Sequence, residues 1–303
     1  MRVFLTGATG FIGSALVPEL ISAGHHVLGL ARSDAGARFL TEAGALVQRG
    51  DLEDLESLHM GAAMSDGVIH LAFNHDFSKY IANCEADRQA IEALGSALVG
   101  SDRPLVVTSG TGMVYAPGRL ATEDDLAAPS SAVPRGASEE AADSLVSRGV
   151  RASVVRLPQV HDRVKHGLVT FAIAIAREKG VSAYIGEGLN RWPAVHLRDA
   201  APLYRLALEK GAREKGGGAR YHAVAEEGVG MREIADAIGR GLKVPVVSLS
   251  PEEAAGHFGW LGVFAGIDSP ASSALTQQRL GWRPTAQPGM ISDLDHARDF
   301  EAG

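Results

Sequence analysis

Four groups of side chains carry the residue types that move protons or bind oxygen. Asn74, His75, Asp76 and Tyr80 form the first, and Ser109, Thr111 and Tyr115 the second. His161, Asp162, Arg163 and His166 form the third, and Asn190, Arg191, Trp192 and His196 the fourth. Histidine titrates near neutrality, which suits it to proton transfer, and a Ser or Thr hydroxyl can hydrogen-bond a substrate oxygen. His161 is the first candidate for an acid/base and Tyr115 the second. Thr111 is the candidate that polarises oxygen, with Asn74, His75, Ser109, His166 and Trp192 as substrate contacts. The plainer alternatives are a surface-loop His161, a Tyr115 packed under its loop, a Trp192 that packs or walls a pocket, and a His196 that fixes a turn before a helix capped by Asp199. The spacing of His161, Asp162 and His166 matches no metal-ligand motif and no fourth ligand is evident, so no metal is expected.

These groups need elements to hold them, and the first thirteen residues, MRVFLTGATGFIG, show which. Residues 2–6 are an apolar run of strand formers, Gly7, Gly10 and Gly13 punctuate a turn, and residues 14–23 resume at helical spacing. Glycine in such a turn permits tight geometry and close approach of a pyrophosphate, and the helix N-terminus offers N–H groups and a positive dipole end. Strand and helix patterns then alternate: strands at 26–31, 45–49, 67–72, 105–108 and 152–157, helices near 35–43, 55 onward, 81–99 and 137–148. That alternation predicts an α/β fold, a doubly wound parallel Rossmann sheet, with a smaller C-terminal substrate-binding lobe. The expected division is 1–160 for the dinucleotide domain, completed by about 194–225, and 161–193 with 226–303 for the lobe. Beyond Pro158 the expected elements are helices at 169–178, 199–209 and 231–242, a surface connection at 211–218, a strand at 221–224 and a loop-rich remainder.

In doubly wound folds, ligands bind beyond the carboxyl ends of the strands, where all four groups fall. The residue ending the second strand meets the adenosine ribose there. Arg32-Ser33 at that place suits a 2′-phosphate better than a bare diol, so NADP(H) is preferred over NAD(H). A solvated Arg32, with Asp34 turned to the ribose, is the alternative.

TGATGFIG, with Thr9, Phe11 and Ile12 among its glycines, resembles the extended short-chain dehydrogenase/reductase family, whose members bind NAD or NADP. The resemblance implies that Asp51 and Leu52 contact adenine, that Leu71, Ala72 and Phe73 pass the middle of the cofactor, and that Leu157 and Pro158 border the nicotinamide. His70 in the same stretch reads as a core histidine. Members usually carry a Ser or Thr after the fifth strand and then a Tyr-x-x-x-Lys. Thr111 stands at the first position, but Arg135 and Glu139 replace the tyrosine and lysine. Arginine stays protonated and cannot serve as the usual acid/base. The pattern is similar to the atypical, epimerase/dehydratase-like branch, and AFNHDFSKY, NRWPAVH, YHAVAEEG and LGWRP agree.

Composition bounds the remaining readings. The 303 residues carry 29 Lys and Arg against 36 Asp and Glu, a net charge of −7 with no basic block, which argues against nucleic acid. Cys84 is the single cysteine, so no internal disulfide forms. No apolar stretch reaches membrane-spanning length, and the early glycines break any signal-peptide pattern. A cytoplasmic protein that acts on a small molecule, with no nucleic-acid or membrane partner, is expected. The helices at 81–99 and 137–148 are the elements through which a homodimer would form. Three functions stay open: an NADP(H)-dependent oxidoreductase on a small carbonyl or alcohol, a redox-neutral epimerase, isomerase or dehydratase, and a non-catalytic NADP-binding sensor.

Overall fold

Short apolar runs become parallel strands when helices cover both faces of the sheet, and the first half of the chain is built this way. The computed structural model describes residues 1–114 and 116–300. In order, it places β1 (Arg2–Thr6), α1 (Phe11–Ser22), β2 (His26–Ala31), α2 (Asp34–Glu42), β3 (Leu46–Arg49), α3 (Leu55–Ala63), β4 (Gly67–His70), α4 (Tyr80–Ser96), β5 (Pro104–Gly110), α5 (Ala137–Ser147) and β6 (Arg151–Leu157). Then come β7 (Gln159–His161), α6 (Val169–Lys179), β8 (Ser182–Ile185), β9 (Arg191–His196), α7 (Leu197–Arg213), β10 (Arg220–His222), β11 (Glu226–Gly230) and α8 (Met231–Leu242). The chain closes with β12 (Val246–Leu249), α9 (Pro251–Phe258), α10 (Gly262–Ala265), α11 (Ala274–Leu280) and α12 (Met290–Asp295).

Seven strands form the main sheet in the order β10-β6-β5-β4-β1-β2-β3, all parallel. Helices α1 and α7 cover one face with Leu16, Leu20, Leu203 and Tyr204, and α3, α4 and α5 cover the other with Leu58, Ile91, Leu94 and Leu145. The expected doubly wound fold is therefore present. A separate core under α6, α8, α9 and α12 holds Val169, Trp192, Ile234, Phe258 and Leu294. Two small sheets, β11-β9-β7 and β12-β8, accompany it.

Several local expectations change. Helix α7 starts at Leu197, not at Asp199, because the His196 ring accepts the Arg198 amide as its cap. Asp199 instead accepts the amides of Thr285 (3.1 Å) and Ala286 (2.9 Å), tying down the chain after α11. The first part of the expected surface connection is helical, since α7 runs to Arg213. The stretch after β12 is helical where a loop-rich run was expected; Ser250 and Glu253 form a capping box at the head of α9. Among the described residues, no helix is long and apolar enough to cross a membrane.

Candidate active site

The turn from β1 to α1 is closed to any residue but glycine at two points. Gly7 has φ 69°, and a Cβ there would stand 2.8 Å from the Ala72 nitrogen. A Cβ on Gly13 would stand 2.1 Å from the Gly7 carbonyl oxygen. Gly10, the N-cap, supplies no side-chain cap, so the amides of Phe11, Ile12 and Gly13 open the helix with its positive dipole end unmasked. An anion held by backbone N–H groups fits such a cradle. Leu71, Ala72 and Phe73 leave β4 directly beside Gly7, as the contact with Ala72 requires.

The end of β2 adjoins the same turn. A Cβ on Gly36 would meet the Thr9 methyl at 3.3 Å and the Ser33 hydroxyl at 3.4 Å, so Thr9, Ser33 and Gly36 come together. Ser33 caps α2 by accepting the Gly36 amide at 3.1 Å. Arg32 is exposed, and Asp34 is engaged by Arg49 at 2.8 Å rather than turned to a ribose. The Asp51 carboxylate accepts the amides of Glu53 and Asp54 at 2.8 and 3.0 Å, and Leu52 packs on the α3/α4 core.

At the tyrosine position, Arg135 is clamped. One guanidinium nitrogen donates to Asp87 at 2.5 Å and to the Ser138 hydroxyl, and the other donates to the Thr108 carbonyl at 3.2 Å. The Ser138 hydroxyl donates its own hydrogen bond to Asp87 at 2.7 Å. The guanidinium lies 4.0 Å over the Phe73 ring. Asp87 is 1% exposed. Burial pushes its carboxyl up, but the Arg135 charge, with His70 and Ser138, holds it well below the usual range. His70 bridges Asp87 and Thr6, with Nε2 3.1 Å from the Asp87 carboxylate and Nδ1 2.8 Å from the Thr6 hydroxyl. Thr6 in turn accepts the Ala72 amide at 3.3 Å. A continuous buried network thus joins the glycine turn to Arg135.

Glu139, one turn later, faces elsewhere. Its carboxylate receives Arg156 in a bidentate pair at 2.8 Å and Arg220 at 3.1 Å. Burial raises its pKa, and Arg156 with Ser109 and Arg220 lowers it further than burial lifts it. Arg156 also donates to His222 Nε2 at 3.2 Å, and His222 Nδ1 donates to the Ser272 carbonyl at 2.8 Å.

Of the expected substrate contacts, only part of the first group faces water. Asn74 and His75 are exposed. Although its outer face meets water, the His75 pKa is lowered by desolvation beside its neighbours and then by the Arg135 charge. Phe73, His75, Phe77, Phe171, Trp260 and Phe264 form a chain of rings from this point to the lobe, with Phe77 stacked on Trp260 at 4.1 Å. Thr111 is buried, its hydroxyl 3.4 Å from the Leu157 carbonyl that precedes Pro158. Tyr115 lies outside the described residues.

Four more of the expected site residues are buried. His161 is not a loop residue: it ends β7, is 1% exposed, and sits 2.8 Å from Asp293 and 3.6 Å from Glu226. His166 bridges it across the next turn and is buried. Trp192 belongs to the lobe core at 3% exposed, and Ser109 is buried beside Glu139. Each lies on a strand, or on a turn bridged to one, that other elements cover, so packing claims it. Asp87 went unrecognised. Its signal is an acid at the spacing of Asn83, Cys84, Ala90, Ile91 and Leu94, the buried stripe of α4.

Residues 3–221 match the model of the NAD dependent epimerase/dehydratase family. An uncharacterised protein of Schizosaccharomyces pombe is 51% identical over 97% of this chain and 98% of its own. One of Saccharomyces cerevisiae is 46% identical over 97% and 98%. The UDP-glucose 4-epimerase of Thermus thermophilus, solved in complex with NAD, superposes with a TM-score of 0.74 over 100% of this chain and 99% of that one, at 22% identity, which speaks for the fold. The chain belongs to the NAD dependent epimerase/dehydratase family.

Proposed function

We propose that the chain is an NADP(H)-dependent oxidoreductase that acts on a small carbonyl or alcohol without a catalytic tyrosine. The observation that carries this reading is Arg135, a guanidinium locked by Asp87, Ser138 and Thr108 at the family's tyrosine position and wired to the glycine turn through His70 and Thr6. A nicotinamide held beside Leu157 and Pro158 would supply hydride-transfer chemistry. The protein then has to manage charge and a proton. Arg135 cannot give up its proton, so its part is electrostatic: a preorganised positive charge beside the oxygen on which negative charge develops. The Thr111 hydroxyl turns from the Leu157 carbonyl, which it meets at only 3.4 Å, to donate to that oxygen. His75, kept neutral by its lowered pKa, takes the proton released from an alcohol and returns it in the reverse direction. The apolar body of the substrate lies against Phe73, Phe77 and Trp260. Exposed Arg32 takes the 2′-phosphate.

Calorimetric titration with NADPH and NADH, for the wild type and for Arg32→Asp, tests the cofactor reading. Tighter NADPH binding that the variant selectively loses is expected, and equal losses for both nucleotides would remove the 2′-phosphate assignment. An NADPH-oxidation screen over aldehydes, ketones and imines tests the chemistry. Tight binding with no turnover would favour the sensor or a redox-neutral reaction.

A further inference from the structure

The loop between β7 and α6 is a built turn. Its ends meet in an antiparallel bridge between His161 and His166. Inside it, the Asp162 carboxylate accepts the amides of Val164 at 2.7 Å and Lys165 at 2.9 Å, and the Asp162 amide donates to the Lys165 carbonyl at 2.9 Å. With its backbone fixed in this way, Lys165 reaches out of the loop to the other side of the site. Its ammonium lies 5.8 Å from the centre of the Phe11 ring, and Phe11 is the first helical residue after the glycine turn. From there its charge is felt at His75, behind the larger effects of burial and Arg135.

Lys165 is exposed, and no carboxylate pairs with it among the described residues. Arg135, Arg156, Arg191, Arg205 and Arg220, by contrast, each have one. In a chain of net charge −7, this cation without a carboxylate partner stands beside Phe11, the first residue of α1, whose N-cap Gly10 leaves the helix N-terminus without a side-chain cap. A lysine ammonium is a compact point charge that suits phosphate oxygens. We propose that Lys165 binds the pyrophosphate of the dinucleotide from the lobe side, opposite the backbone amides of α1. The cofactor then receives from the β7–α6 loop a cation of the kind that Glu139 has removed from α5.

The proposal rests on the dinucleotide reading above, and the test separates the two. Titrations of NADPH, NADH and adenosine 2′-phosphate would be run on the wild type, Lys165→Met and Lys165→Arg. Lys165→Met should weaken NADPH and NADH by the same factor, roughly tenfold or more, and leave adenosine 2′-phosphate, which lacks a pyrophosphate, unchanged. Lys165→Arg should keep most of the affinity. Unaltered dinucleotide binding by Lys165→Met would overturn the proposal and leave the dinucleotide reading standing, and an equal loss for adenosine 2′-phosphate would also overturn it. A wild-type chain that binds neither dinucleotide would overturn both.

Discussion

Arg135 and Glu139 stand four residues apart at the head of α5, and each anchors a buried ion network of opposite character. Around Glu139 the inner pair is sealed: Arg156 is 0% exposed, and Arg220 closes the carboxylate from the outside with 15% of its side chain open. Around Arg135 the carboxylate is the sealed partner, and the guanidinium keeps 11% of its side chain open beside Phe73. The two positions that normally share one reaction have separated. One has become a staple between α5, β6 and β10, and the other a fixed charge at the mouth of the site. A buried ion pair is weak evidence of net stability, yet it tolerates poorly the loss of one partner. The difference between the networks therefore lies in what the half-open arginine borders, the Phe73 ring beside Arg135 and the Asp143 carboxylate beside Arg220, and substitution can expose it further.

The largest effect is expected where the family's own residue is restored. Glu139→Lys would set a third cation against Arg156 and Arg220, with Arg156 fully buried. The expected cost is about 4 kcal/mol or more, read as a fall in Tm of roughly 10 °C or as insoluble protein. Glu139→Gln, which keeps the shape and removes only the charge, should lose less. Because the folded carboxyl titrates below its unfolded value, its contribution is complete above about pH 4–5 and drains away as pH falls. The wild type should thus approach Glu139→Gln in stability under acid. Wild-type stability in Glu139→Lys would mean that the second network is no staple.

Arg135→Met comes next and should act mainly on turnover. With whichever substrate the screen identifies, kcat should fall by roughly 10²–10³-fold, the scale of losing one preorganised donor. The Kd for NADPH should stay within about threefold, because the glycine turn is untouched. A stability loss of about 2–3 kcal/mol is also expected, since His70 and Ser138 alone would hold the Asp87 charge. Retained kcat would make the open network a staple too.

How much of this was legible follows from the distance over which each feature is decided. The glycine turn, the first six strands and helix α8 are set by runs of neighbouring residues, and local pattern finds them. The Tyr-to-Arg and Lys-to-Glu replacements were visible as well. What Arg135 does was not, because its meaning rests on Asp87, 48 residues away. His161 follows a strand by only four residues and reads as a loop, yet Asp293, 132 residues on, draws it into the interior. Trp192 and Ser109 are polar-tipped residues on strands whose second face is covered by elements far along the chain. Asp199 has the type of a helix cap, but the segment between α11 and α12 claims its carboxylate through Thr285 and Ala286. Type and spacing locate a site; partners decide which of its residues face the substrate.

The smallest effect is also the one that separates the two networks most finely. His75 lies within reach of the Arg135 charge, which after burial is the largest influence on its pKa. If His75 is the base for alcohol oxidation, kcat/KM should fall as the imidazole becomes protonated. That limb should lie below the ordinary value of 6.5. His75→Gln should abolish the limb and cost roughly tenfold in kcat/KM at neutral pH. Residual activity of Arg135→Met should carry the limb shifted upward toward 6.5, since the repelling charge has gone, while Glu139→Gln should leave it in place. A limb that survives His75→Gln would assign the proton to another group, and one that moves with Glu139 would show that the two networks are electrostatically a single one.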